Sequence, residues 1–395
     1  MQTEPIEKLE KLFTPNFILA CIANFCMFFA FYLIMPAMPV YLLAEFKSNK
    51  AIVGMVLSSY TIATLMVRPF AGFIADTFQR KPFYIISFFL FIASFAGYML
   101  ASSLLVMTII RATHGFTYGM VTTASTTFSL DVMPSSRRGT GIGYFGSTST
   151  LAMALGPMVG LFFVETNSFT TVFLISIISG LIGLILASFI KVEKREIKKR
   201  EAISLDRFLL LKAIVPASVL FFITFPYGII TTYIALLGRE VGINTGVGKF
   251  FIFYSIGLIA ARFGSGKIID KGYLTQLILV GNFIIVATIA IFVLITNVYV
   301  FFGIALIFGI GIGLIAPAYQ MLFINLAEHN KRGTANSTYL ISWDVGIGLS
   351  VLLGGQIAEV YSYHFACVIG LILAILSSLL FLKITIPYYK KNRLY

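Results

Sequence analysis

Charged residues are scarce in this 395-residue chain. Asp, Glu, Lys and Arg make up 11% of it, against 58% hydrophobic residues, and the mean hydropathy is +0.94. So little charge excludes a set of soluble domains; the solvent for most of the chain is lipid. Cysteine and histidine are scarcer still, at three each. Cys21, Cys26 and Cys367 sit inside apolar runs and read as small hydrophobes, which excludes a disulfide framework. His114, His329 and His364 are dispersed and no acidic cluster has ligand spacing. No metal site is therefore expected, and a membrane-embedded enzyme or sensor is a remote alternative. No Gly-x4-Gly-Lys-Ser/Thr loop occurs, which argues against direct ATP drive. The start, Met1 to Pro15, mixes charges, and the apolar run after it is too long for a cleaved leader, so that run is expected to be a permanent span.

What is present is a series of long apolar runs. A bilayer core of about 30 Å takes roughly 20 helical residues to cross, so the chain has room for about twelve crossings. The runs lack the alternation of barrel strands, which makes the expected class all-α. They fall near 17–43, 51–75, 83–101, 104–129, 139–163 and 169–190, then 213–237, 248–269, 274–296, 298–324, 334–358 and 364–384. Between the two sets, Lys191 to Lys212 holds eight Lys or Arg and four Asp or Glu, a surface linker. The expected organisation is a six-helix bundle over 1–190, a cytoplasmic linker over 191–212 and a second bundle over 213–395. A net charge of +13 raises nucleic acid as a partner, but the charges are spread through short loops. Topology explains them better: with the N-terminus cytoplasmic, that side carries 22 of the 29 basic residues and the other side only Lys47, Lys50, Arg239 and Lys249. Both termini are thus expected to be cytoplasmic, in a multi-pass protein of the plasma or inner membrane.

One constant offset relates the two sets. A shift of 194 carries Gly54, Tyr60, Arg68, Gly72 and Asp76 onto Gly248, Tyr254, Arg262, Gly266 and Asp270. The same shift carries Gly115, Gly119, Arg138, Gly139, Thr140 and Gly160 onto Gly309, Gly313, Arg332, Gly333, Thr334 and Gly354. This is an internal repeat. Because each copy has an even number of spans, the copies enter the membrane in the same direction, related by a pseudo-two-fold axis along the membrane normal, with substrate sites expected near the midplane between them.

Three local patterns add chemistry. The turn after the second span reads Gly72-Phe73-Ile74-Ala75-Asp76-Thr77-Phe78-Gln79-Arg80-Lys81, echoed by Gly266-Lys267-Ile268-Ile269-Asp270-Lys271-Gly272. The glycine allows close helix approach and the aspartate suits a helix N-terminus. The fourth span carries Arg111-Ala112-Thr113-His114-Gly115, where an intramembrane arginine needs a partner or a watery cavity. The fifth carries Gly146 and then Gly156-Pro157-Met158-Val159-Gly160, a kink with small faces. Together these resemble the major facilitator superfamily over nearly the whole chain. The resemblance implies alternating access. It makes Gly72, Asp76, Arg80, Gly266 and Asp270 a cytoplasmic gate or a static clasp, and associates Arg111, with His114 beside it, with proton coupling, unless Arg111 only bonds carbonyls. Gly146, Gly156, Pro157 and Gly160 become an exporter-type hinge or plain packing. It also assigns the first helix of each three-helix segment to the cavity, which makes Asn24, Tyr32, Tyr118, Tyr227, Tyr233, Tyr319 and Gln320 the substrate-contact candidates, with Trp343 beside them.

Asp344 lies about ten residues into the eleventh span, roughly 15 Å deep. It is the only acid expected well inside the hydrocarbon. There a carboxyl either carries a proton or is paired, with Arg68, Arg111 or Arg262, and pins two helices together. The expected function is secondary active transport, a proton-coupled antiport that exports small amphipathic molecules or drugs and needs no cofactor beyond the proton gradient. The protein is expected to act as a monomer. The alternative is a proton symporter or uniporter importing a small metabolite, for which three intramembrane arginines against one aspartate would suit an anion. Arg68 and Arg262 recur in both copies and so read as scaffold.

Overall fold

A backbone that must satisfy its polar groups in hydrocarbon does so as helix, and every regular element among the described residues is helical. The structure, a computed structural model, describes residues 11–134, 138–166, 168–192, 209–294, 297–328 and 332–394. Within its helices the side chains at 73, 76, 77, 138–140, 143, 263, 267, 270, 332 and 333 also lie outside the description. Most of the expected linker and the gate carboxylates of Asp76 and Asp270 thus lie outside the described residues.

The helices are α1 (Pro15–Ile34), α2 (Ala37–Glu45), α3 (Lys50–Thr77), α4 (Arg80–Leu100), α5 (Leu104–Ser129), α6 (Arg138–Glu165) and α7 (Phe169–Phe189). Then follow α8 (Ile214–Glu240), α9 (Lys249–Asp270), α10 (Leu274–Leu294), α11 (Val298–Asn325), α12 (Arg332–Val360), α13 (Tyr363–Leu380) and α14 (Ile386–Asn392). Local chemistry sets their ends. The side chains of Thr14, Asn49, Ser103, Asn297 and Ser362 each accept from a backbone N–H of the first turn they precede, which satisfies donors that the helix itself leaves unpaired. Pro36 divides the first expected span into α1 and α2, because proline cannot donate to the preceding turn.

Ten helices among the described residues are long and apolar enough to cross a membrane. The other two expected spans, α5 and α9, have 26 and 22 residues. Each of the two carries an arginine within its length, Arg111 in α5 and Arg262 in α9.

The repeat is written into the packing. Arg80, Leu104, Arg138 and Phe169 open helices, and Leu274, Val298, Arg332 and Tyr363, each 194 positions later, open their counterparts. The pairs α3·α5, α1·α6, α1·α7, α4·α5 and α4·α7 recur as α9·α11, α8·α12, α8·α13, α10·α11 and α10·α13. The shared glycines are contact points. A Cβ at Gly115 would run into the carbonyl of Tyr60, and one at Gly309 into the carbonyl of Tyr254, the same contact in each copy.

The copies meet through α3·α12 and α6·α9, again a symmetric pair. Every hydrogen bond, ion pair and glycine contact between them, among the described residues, lies from mid-helix to the end remote from the chain termini. At that remote end the Lys50 N–H donates to Glu359 Oε2 (2.6 Å), Lys50 Nζ lies 3.4 Å from Glu240 Oε1, and the Gly246 N–H donates to Glu165 Oε1 (2.6 Å). A Cβ at Gly54 would stand 2.9 Å from the Leu352 carbonyl oxygen, and one at Gly248 3.1 Å from the Met158 carbonyl oxygen. Toward the termini the contacts cease: nothing described lies within 4 Å of a Cβ at Gly72 or Gly266, which continue the seam faces of α3 and α9. The bundle is closed at one end and open at the end that carries the termini.

Candidate functional site

The seam between the copies holds two arginines at the mid-depth of their helices. Arg68 Nη2 of α3 lies 2.6 Å from Asp344 Oδ2 of α12, and both side chains are partly accessible, at 15% and 21%. Arg262 Nη1 of α9 donates to Thr150 Oγ1 of α6 over 2.6 Å. These are one contact made twice, since 194 residues separate Arg68 from Arg262 and Thr150 from Asp344. In one copy of the contact the acceptor is a carboxylate, in the other a hydroxyl. Asp344 is therefore ion-paired across the seam, and the two repeated arginines, read from the sequence as scaffold, stand at its centre.

Aromatic rings surround them. Phe31, Tyr60 and Tyr118 stack from α1, α3 and α5, with Tyr32 edge-on to Phe31 at 5.2 Å. From the other copy come Tyr227, Tyr254 and Phe308, with Trp343 5.6 Å from Tyr227 and 6.0 Å from Tyr339. Tyr32 lies near Tyr118 in its own copy and near Tyr227, Arg262 and Asp344 across the seam. Tyr32, Tyr118, Tyr227 and Trp343 are thus brought together with Asp344.

Other candidates are placed elsewhere. Asn24 is buried, donating to Thr148 Oγ1 (2.9 Å) and the Phe145 carbonyl (3.3 Å) and accepting from Ser125 Oγ (3.1 Å); its amide is spent joining α1, α5 and α6. Tyr233 is buried, donating to the Val351 carbonyl (2.7 Å) and stacking with Tyr363. Tyr319 is buried with Asn282 and Phe381. In this arrangement the polar groups of these three are engaged within their own copy. Gln320 donates to Asn336 Oδ1 (2.6 Å), tying α11 to α12.

Arg111 and His114 form a second polar group, buried behind the seam. Arg111 Nη1 donates to the Tyr98 hydroxyl (3.2 Å), and its guanidinium lies over the Tyr60 ring, 4.7 Å from the centroid, where the ring face attracts a cation. The Tyr98 oxygen also lies 2.6 Å from His114 Nδ1. A guanidinium only donates, so the Tyr98 oxygen accepts from Arg111 while it also contacts His114 Nδ1. His114 is fully buried amid Phe31, Tyr60, Phe91, Phe95 and Tyr98.

The remaining expected residues are placed as follows. Arg80 pairs with Asp131 (2.6 Å) and donates to the Thr127 carbonyl (3.2 Å), contacts within one copy. Gly156 and Gly160 of α6 pack on Tyr32 and Leu33 of α1, and Pro157 lies between them inside a continuous α6. Gly146 and the gate glycines Gly72 and Gly266 have no described neighbour within 4 Å of a Cβ, so the close helix approach expected of the gate glycines is not made in this arrangement. Sequence reasoning missed Thr150, Tyr60, Tyr254, Tyr98 and Tyr339 as members of these two groups. The repeat offset held the signal for Thr150, because once Asp344 meets Arg68, symmetry sends Thr150 to Arg262.

Fold and seam define a multi-pass helical membrane protein of two like bundles around a central charged cleft, closed at one end. The Major Facilitator Superfamily family model matches residues 20–351 and 278–394. The chain belongs to that superfamily. Among curated relatives, the MFS-type transporter YqjV of Bacillus subtilis is 26% identical over 152 residues, 38% of this chain and 37% of that protein. Quinolone resistance protein NorA of Staphylococcus aureus is 27% identical over 143 residues, 36% of this chain and 37% of that protein. The first relatives are thus matched over 26% to 37% of their own length. Solved structures share the fold: a POT family peptide transporter (TM-score 0.79, 12% identity, 97% of this chain and 98% of that one) and the nucleoside transporter NupG (0.76, 14%, 93% and 99%).

Proposed function

We propose that the chain is a proton-coupled exporter of small amphipathic molecules, working by alternating access as a monomer with both termini cytoplasmic. One observation carries this reading: a titratable carboxylate, Asp344, forms a partly accessible ion pair with Arg68 across the seam that must open and close. With the carboxylate ionised, the pair draws α3 and α12 together. A proton arriving on Asp344 from the far side removes that attraction and leaves Arg68 charged, and release of the proton to the termini side restores it. A bias of about 1–3 kcal/mol is sufficient to change relative state populations 5- to 150-fold. The aromatic lining supports an amphipathic substrate. The stretch shared with NorA, whose name records quinolone resistance, supports export.

The test is transport in oriented membrane vesicles. Everted vesicles acidified inside should accumulate substrate, and Asp344→Asn should lose proton dependence while still folding. Accumulation by right-side-out vesicles with acid outside would replace export by proton symport, and unchanged proton dependence in Asp344→Asn would make the pair structural.

A further inference from the structure

We propose that Arg262 and Thr150 form the docking site for a carboxylate of the transported molecule. The inference rests on the transporter reading above and names what the cleft recognises. Arg68 holds a carboxylate that belongs to the protein, Asp344. Arg262 stands in the same relation to the seam, with the Thr150 hydroxyl where the carboxylate stands in its twin. The second copy of the contact is therefore an ion pair lacking its anion. Arg262 makes no ion pair among the described residues, its side chain is exposed, and Tyr32, Tyr227, Tyr254 and Tyr339 lie around it, of which Tyr32 and Tyr339 also lie near Asp344. A cation at the mid-depth of a membrane protein is costly without a counter-charge. A ligand carboxylate supplies one with charge-assisted hydrogen bonds from the guanidinium, beside the Thr150 hydroxyl, which itself donates to the Gly146 carbonyl (3.3 Å). The rings of Tyr32 and Tyr227 lie beside that position, so the preferred ligand is an aromatic or otherwise apolar acid.

The chain has a single tryptophan, Trp343, next to Asp344 and 5.6 Å from Tyr227, so its fluorescence reports on the cleft. Purified full-length protein is titrated with 4-nitrobenzoate and with 4-nitrobenzyl alcohol, a neutral quencher of the same shape. Wild type is expected to prefer the carboxylate by about ten-fold or more, the worth of one charge-assisted contact. Arg262→Gln should reduce that preference to less than about two-fold, and Arg262→Lys should keep part of it. Thr150→Asp, which fills the place with an internal carboxylate, should abolish it from the opposite copy. A wild type without preference overturns the proposal whatever the variants do, as does a preference that survives both Arg262→Gln and Thr150→Asp. The measurement uses no gradient. A carboxylate preference in a protein whose transport ignores protons overturns the coupling reading alone, and proton-driven transport without the preference overturns this inference alone.

Discussion

Arg111, Tyr98 and His114 form a buried polar trio in one copy of the repeat, and the other copy fills the same three places with Ala305, Phe292 and Phe308, all buried. The fold thus has an apolar solution for this site, and packing alone does not require the trio. Its energetics should follow from that. Tyr98→Phe removes the group that both Arg111 and His114 contact, leaving each without it, and should cost about 1–3 kcal/mol of stability. Replacing all three by their counterparts, Arg111→Ala, Tyr98→Phe and His114→Phe, should destabilise less than Tyr98→Phe alone, because no buried polar atom is left unpaired. Thermal unfolding of the purified variants checks the order. If the triple variant folds but no longer transports, the trio serves the transport cycle. The arginine was legible in the sequence as an anomaly in an apolar run. Its partner was not, since nothing in the spacing of Tyr98 on α4 marks it as facing α5.

At the scale of helices, closure depends on what α3 and α12 present to each other. Gly54 and Gly355 let two backbones touch at the remote end, where even a Cβ is crowded. Gly54→Leu should wedge this end apart and shift the population toward the state open there. Gly72→Leu, at an end with nothing within 4 Å, should hinder the opposite closure and hold the arrangement described above. Pulsed EPR distances between spin labels at Lys47 and Tyr361 should lengthen in the first variant and stay unchanged in the second. Helix boundaries were readable because caps and apolar runs are local. That Gly54 meets Gly355, while the equivalent Gly248 meets Met158 and Leu161, was not, because each contact joins residues far apart in the chain.

For the whole molecule, the Arg68–Asp344 pair is the charge contact through which one bundle senses the other at mid-depth. Arg68→Asp and Asp344→Arg each place like charges across the seam and should abolish transport. The double exchange restores attraction with its direction reversed and should recover part of the activity. A coupling of at least about 1 kcal/mol between the two sites, read from transport rates in a double-mutant cycle, is the expected outcome. Additive losses would show that the two side chains act independently.

Hydropathy, the 194-residue offset and the resemblance of its loops by themselves determined that this chain is a two-fold repeated helical membrane protein of the superfamily. These follow from local composition and from comparison of the chain with itself. The offset also marked Arg68, Arg262, Thr150 and Asp344 as two pairs of equivalents. Only the tertiary structure decided how the pairs combine, since α3 packs on α12 and α9 on α6, each contact crossing between copies. It turned two repeated arginines from scaffold into the centre of the cleft, one facing the Asp344 carboxylate and one the Thr150 hydroxyl. Periodicity tells which residues share a face, but which face meets which is settled by packing across the whole bundle.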